Sequence, residues 1–246
     1  MGKRIISQHR GRGSPRYKAP SFNYLGRVRH RAYDNKERED KVDGIIIDLV
    51  DCRGHTAPLA MIEYEDGERI YSVAGEKMYA GQIISSGIKA TVKEGNTLPL
   101  KKIPEGTQIY NIEKAPGDLG KFVRVAGSSA RIDTKSKNSI AIRMPSKKVK
   151  HFNPDCRATI GLISGAGIVE KPILKAGKKY FMMKAKNKLY PRTSAGAMNA
   201  TDHPFGSGRG GPTYGGKSSS IAPKNAPPGR KVGMIRARKT GRGGKS

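Results

Sequence analysis

The chain has 246 residues, enough for one large domain or two small ones, but 35% hydrophobic, 6% aromatic, no Trp and 31 Gly leave material for only a partial core. Forty-eight Lys and Arg against twenty Asp and Glu give a formal charge of +28, which on a compact body repels itself unless a polyanion neutralises it, so nucleic acid is the expected partner. No apolar run approaches the roughly 20 residues of a membrane span, and Met1-Gly-Lys-Arg-Ile-Ile lacks the apolar region of a secretory leader; a cytoplasmic protein with no membrane partner is expected.

Residues 1–40 read as an extended basic arm. Lys3, Arg4, Arg10, Arg12, Arg16, Lys18, Arg27, Arg29, Arg31, Lys36 and Arg38 outnumber Asp34, Glu37, Glu39 and Asp40, while Gly11, Gly13, Pro15 and Pro20 interrupt any helix. Tyr17, Phe22 and Tyr24 stand between the cations, where stacking groups for single-stranded nucleic acid belong.

From residue 41 the character changes to strands. Val42–Val50 is β-branched and apolar, and residues 58–65 are joined by Asp66-Gly67, a strong hairpin signal, to residues 68–74. Residues 41–80 also form the one acidic block, with eight Asp or Glu against Lys41, Arg53, Arg69 and Lys77. That block is expected to hold a structured face that does not lie flat on phosphates. Further strands are predicted at residues 81–84, 106–112, 122–126, 139–144 and 158–163, a spacing that suits small β-barrels better than βαβ units. Lys101-Lys102, Lys135, Lys137 and Lys147–Lys150 fall between them on expected turns, as a groove tracking RNA phosphates requires.

Residues 171–188 suit one short amphipathic helix or turn packed on the barrel. Beyond Pro191 the chain reverts to Gly, Pro and cations, with Asp202 its single acid. Within that tail, Gly196–Gly211 has neither helical nor strand periodicity, yet it holds Asn199, Asp202, His203 and Arg209, which act through specific hydrogen bonds. Its glycines are entropically expensive to order, so an outside partner is expected to order it.

Cys52 with His55 and His151 with Cys156 are two pairs of zinc-type ligands, but neither has the Cys-x-x-Cys form; buried thiols and no metal or cofactor are expected. Gly206-x-Gly208-x-Gly210 has no strand before it and no helix after it, so it fails as a dinucleotide loop. A hydrolase using Asp202 and His203 with Ser194 or Cys156 needs a rigidity that a glycine-rich tail lacks, and a general DNA-compacting protein is the other alternative. No enzymatic activity is expected.

Three runs, Pro116–Arg131, Cys156–Gly161 and Ala197–Gly206, resemble in order and spacing the family of universal large-subunit ribosomal protein number two, and Pro99-Leu100, Ile103–Thr107 and Asn111–Glu113 fit the same family. The N-terminal arm is similar to that of its archaeal and eukaryotic branch. The resemblance implies a mainly β protein: an OB-fold barrel at 41–85, an SH3-like barrel with a short helical segment at 86–190, and basic extensions at 1–40 and 191–246. It further implies binding to large-subunit ribosomal RNA, neighbouring ribosomal proteins as partners, a place at the face toward the small subunit, His203 directed to the peptidyl-transferase region, and no homo-oligomer. Together with the residues read above, the expected RNA-contact set is Arg69, Lys121, Arg124, Arg131, Lys135, Arg143, Arg157, Asn199, Asp202, His203 and Arg209. Ser207 stands where bacterial relatives usually have Gly, and Lys135 where Arg is frequent, trading a bidentate fork for a point charge.

Overall fold

The computed structural model describes residues 2–9, 14–15 and 17–208, together with 222, 226–227 and 229–232. In chain order the elements are α1 (Ile6–His9), α2 (Asn35–Glu39), β1 (Lys41–Val50), β2 (Leu59–Tyr64), β3 (Arg69–Val73), β4 (Ile83–Gly87), β5 (Thr97–Pro99), β6 (Gln108–Tyr110), β7 (Ala130–Lys135), β8 (Ile140–Arg143), β9 (Val149–Phe152), β10 (Arg157–Ile160), α3 (Gly167–Glu170) and α4 (Ala176–Ala185). The chain divides into two units, Pro20–Lys178 and a second formed by Met1–Ala19 with Lys179–Ser246. Among the described residues no helix is long and apolar enough to cross a membrane.

The larger unit is mainly β, as expected. Its strands run in the order β3-β2-β1-β4-β5-β10-β6-β7-β8-β9, antiparallel throughout except where β4 meets β5 in parallel at Ser86 and Thr97. The Asp66-Gly67 turn joins β2 to β3, with Gly67 at φ 81° in the left-handed region that a side chain resists. Along β1 buried and exposed residues alternate through Val42, Gly44 and Ile46, so one pleat face enters the core, until a bulge between Ile46 and Asp48 breaks the register.

Three apolar clusters fill this unit. Val42, Ile46, Ile62, Ile70 and Ile84, drawn from β1 through β4, pack together. Leu98, Leu100, Ile109, Ile132, Ile142 and Ile160 pack within β5 to β10. Val28, Cys52, Leu59, Val73, Tyr110 and Ile163 form the third, drawing on both halves of the sheet. Burying side chains of this size contributes roughly 1.5–3 kcal/mol each, which offsets the low overall apolar content by concentrating it here.

Several expectations are corrected. Residues 20–40 are not a free arm but part of the larger unit: Val28 bridges Tyr71 of β3, and Asp34 caps α2 by accepting from the Glu37 amide at 3.1 Å. Residues 122–126 are no strand, because Val123 turns to φ 54° and only an isolated bridge joins Ile112 to Phe122. The runs expected as turns at 135 and 147–150 are partly strand, with Lys135 ending β7 and Lys150 inside β9. A helix does form within 171–188, but α4 buries none of its residues and exposes Tyr180, Phe181 and Met182, so it is not an amphipathic helix against a core.

Candidate nucleic-acid interface

In the larger unit the chain from Leu119 to Arg124 is held in an unusual shape. Leu119 lies at φ 69°, Gly120 at 90° and Val123 at 54°, a conformation that the β-branched Val123 in particular resists, so the surrounding structure enforces it. The result is a cleft of about 190 Å³ lined by Tyr24, Arg27, His55, Lys121 and Arg124. Arg124 is fixed by donating to the Val28 carbonyl at 2.8 Å and the Gly120 carbonyl at 3.2 Å. Burial and the charge of Arg27 push its guanidinium pKa down, the sign of a cation short of anions. Among the described residues Arg27, Lys121 and Arg124 make no ion pair. Asp118 also borders the cleft, but its carboxylate accepts from the amides of Gly120 at 3.2 Å and Lys114 at 3.1 Å and so serves its own turn. On the other wall the Tyr24 and His55 rings stand 5.3 Å apart. Sequence reasoning found Arg124 and Lys121 but not Arg27 and His55 as their companions, since only the fold brings residues 24–27 beside 121–124.

A second set of expected contacts lies on the far strands. Arg131 and Arg143 are directly opposite each other on β7 and β8, a like-charge pairing that destabilises a sheet unless counter-charge is supplied. Asp133 supplies part of it, 3.1 Å from Arg143, while Arg131 donates to the Gly106 carbonyl at 2.9 Å. Lys135 donates to the Lys101 carbonyl at 3.1 Å, its ammonium left without a carboxylate among the described residues. Arg69 is exposed at the other edge of the sheet and paired with Glu63 at 3.0 Å.

Arg157 is the correction to the contact set. Its side chain is 1% exposed and enclosed by acids: it donates to Glu113 at 2.7 and 3.1 Å, to the Arg31 carbonyl at 2.9 Å and to Glu37. Glu37 accepts in addition from Ser86 at 2.6 Å. Burial pushes the Glu37 carboxyl up; burial would do the same to Glu113, but the hydrogen bonds and charge of Arg157 outweigh it and hold that carboxyl below its ordinary value. A guanidinium so surrounded has no face for phosphate. Arg31 is engaged in the same way by Asp34 at 2.6 Å and by Asp66.

In the smaller unit the glycine-rich loop carries more internal order than its composition implies. After a single helical turn at Ala195–Ala197, the amides of Asp202 and His203 donate to the Asn199 carbonyl at 3.0 and 3.1 Å, and Ser207 donates back to Met198 at 3.0 Å. Gly206 closes this fold tightly, since a Cβ there would fall 2.3 Å from the Asn199 carbonyl oxygen. Lys3 adds a strand-like bond from its amide to Thr201 at 2.7 Å and an ion pair with Asp202 at 3.3 Å. His203 is half-buried; its Nδ1 accepts from the Phe205 amide at 3.1 Å, which assigns the neutral ring proton to Nε2. Asn199, Asp202 and His203 are thus brought together, while Arg209 lies outside the described residues.

The two cysteines are buried and free. Cys52 faces His55 Nδ1 at 3.1 Å and belongs to one core cluster, whereas Cys156 belongs to another, and burial pushes its thiol up to about 12. Among the described residues no three His, Cys, Asp or Glu side chains are grouped to hold a metal ion.

Comparison with known proteins agrees with this picture of a β protein with basic surfaces. The family model for the RNA-binding N-terminal domain of ribosomal proteins L2 matches residues 3–86, and the model for their C-terminal domain matches residues 93–229. The large ribosomal subunit protein uL2 of Methanopyrus kandleri is 49% identical over 245 residues, covering the whole of both chains. That of Methanococcus aeolicus is 48% identical over 98% of this chain and all of its own, and that of Methanocaldococcus jannaschii 48% identical over 98% of this chain and 99% of its own. The chain therefore belongs to the ribosomal L2 family.

Proposed function

We propose that this chain is a structural constituent of the large ribosomal subunit that holds ribosomal RNA on two basic surfaces and in its tails, and that it performs no catalysis itself. The observation that carries the reading is the convergence of Arg27, Lys121 and Arg124 on one cleft with no carboxylate paired to them among the described residues, beside the Tyr24 and His55 rings. Such an arrangement suits a phosphate flanked by an unstacked base, the form in which irregular RNA presents itself. Lys121 and Arg124 in this cleft, Arg131, Lys135 and Arg143 on the far strands, Arg69 at the opposite edge, and Asn199, Asp202, His203 and Arg209 in the tail make up the proposed contact set. Arg157 is excluded from it.

In this reading residues 41–85, which hold β1 to β3 and the start of β4, form an OB-fold barrel, and residues 86–190 form an SH3-like barrel with a short helical segment. The gap between the two family matches, at residues 87–92, supports that division. Basic extensions at 1–19 and 191–246 complete the chain, residues 20–40 belonging with the larger unit. Neighbouring ribosomal proteins and, across the subunit interface, the small subunit are the further partners, with the His203 loop supporting the architecture of the peptidyl-transferase region while peptide-bond chemistry stays with the RNA. The test is direct competition. The full chain should bind large-subunit RNA stoichiometrically, without turnover, and duplex DNA should displace that RNA poorly; equal competition by DNA would refute the reading.

A further inference from the structure

The carboxylates of the block at residues 41–80 have no place against phosphates, and the structure shows what two of them flank. β4 pairs with β1 only as far as Ile45 and Ile83, and a last pair of bonds joins Ile46 to Gly81 and Gln82. Beyond that point Ile47 is the bulged residue, Asp48 to Val50 pair with β2 on one side, and among the described residues no strand pairs with this stretch on the other. The amide of Leu49 makes this plain, because it bonds the carboxylate of its neighbour Asp48 at 2.7 Å instead of a strand.

This open stretch is apolar. Ile45 is 51% exposed, Ile47 and Leu49 37% each, and Ile83, directly across from Ile45, 67%. Four large aliphatic side chains along one strand and its partner are more than scattered surface residues need. Asp48 and Asp51 lie among them, with no ion pair among the described residues. In a chain of net charge +28 this is a patch with the opposite sign.

The combination selects its occupant. Phosphates are repelled by Asp48 and Asp51, which rules against RNA. A second copy laid edge to edge would set acids against acids, and the bulge between Ile46 and Asp48 is a known device against such self-pairing. An extended polypeptide bearing Lys or Arg between apolar residues meets all three demands: it offers backbone groups to the open edge, aliphatic contact to Ile45, Ile47 and Ile83, and cations to the two aspartates. We propose that the Ile47–Asp51 edge of β1 is the docking site for an extended, basic segment of another protein. Unlike the RNA-binding surfaces, this one needs no phosphate, and its test separates the two.

The photocrosslinking residue p-benzoylphenylalanine is placed at Ile47 in the full chain, expressed in cells, and irradiated in purified large subunits. The expected product is one protein adduct whose crosslinked peptide is rich in Lys or Arg. Adding Asp48→Lys and Asp51→Lys should lower its yield by about tenfold, the effect of reversing charges against a cationic partner. Sedimentation of the same variants into large subunits shows that they fold and assemble, so loss of the adduct reports the edge and not the RNA-binding surfaces. An adduct with RNA, an adduct with a second copy, no protein adduct, or a yield unchanged by the charge reversal would each overturn the proposal.

Discussion

Glu113 receives three hydrogen bonds from Arg157, one from the backbone amide at 2.8 Å and two from the guanidinium at 3.1 and 2.7 Å, with both side chains enclosed. A buried pair held this way is a weak source of net stability, yet breaking it is severe, because the partner left behind keeps its charge in a poorly solvated site.

Arg157→Ala is therefore expected to destabilise the larger unit by about 3–5 kcal/mol, since it strands Glu113 and Glu37 together. Urea titration of the full chain measures this. Arg143→Ala, at an exposed position of β8, serves as the reference, and equal midpoints for the two variants would show that the buried cluster has no such role.

His30 adds a pH dependence. Its ring is buried, with Nε2 2.5 Å from the Asn111 carbonyl. Burial, reinforced by the charge of Arg157, pushes its pKa from 6.5 down to about 4. The ring therefore stays neutral in the folded chain while the unfolded chain takes up a proton below 6.5, so its contribution is intact above that pH and is lost as pH falls through about 4. Glu37, whose carboxyl is raised by burial, acts in the opposite sense. The two are separated by comparing thermal melting of the native chain and His30→Gln between pH 7 and about 4; parallel profiles would dismiss His30 as the source.

For the basic cleft the expected signature is ionic. Each phosphate neutralised contributes roughly 0.7–0.9 to the slope of log affinity against log salt. Arg27→Gln with Lys121→Gln should flatten the slope for large-subunit RNA by about one such increment and weaken binding uniformly across RNA sequences. Arg69→Gln, whose partner Glu63 already offsets it, should change the slope less. If the cleft variant kept the full slope, phosphate would have to be seated elsewhere.

His203 separates positioning from proton transfer. Its Nδ1 is committed to the Phe205 amide, leaving Nε2 as the ring's donor. Gln keeps a donor and an acceptor but cannot relay protons, and Ala keeps neither. His203→Gln should retain most subunit assembly and peptidyl transfer, whereas His203→Ala should impair assembly and leave the melting of the larger unit unchanged. Assembled His203→Gln subunits without peptidyl transfer would point to a relay instead.

The parts of this fold that were legible from sequence are those fixed by local chemistry. Val42–Val50, the Asp66-Gly67 hairpin and residues 139–144 announce themselves through β-branched runs and a turn that favours glycine at φ 81°. β5 is only Thr97–Pro99 and contains a proline, and β7 and β9 carry charges at Arg131, Asp133, Lys135 and Lys150, so neither length nor alternation marks them. Arg157 looked like an RNA ligand because nothing near it in sequence says otherwise: Glu113 is 44 positions away and Glu37 120. Residues 20–40 looked like an arm for the same reason. Two of their cations are matched by acids that only folding brings near, Arg29 by Glu68 and Arg31 by Asp66.

The position of β10 has a consequence for how the chain is made. It lies between β5 and β6 and pairs with both, and its first residue, Arg157, is what binds the Arg31 carbonyl and Glu37. Synthesis runs from the N-terminus, so the middle of the sheet is its last strand to appear, and the segment around Arg31 and Glu37 waits more than a hundred residues for its anchor. Until then β5 and β6 have a gap between them, and the carboxylates of Glu37 and Glu113 are still open to water. Such long-range closure makes for slow folding. The nascent chain accordingly passes through a stage in which Glu37 and Glu113 lack the guanidinium that neutralises them in the finished fold.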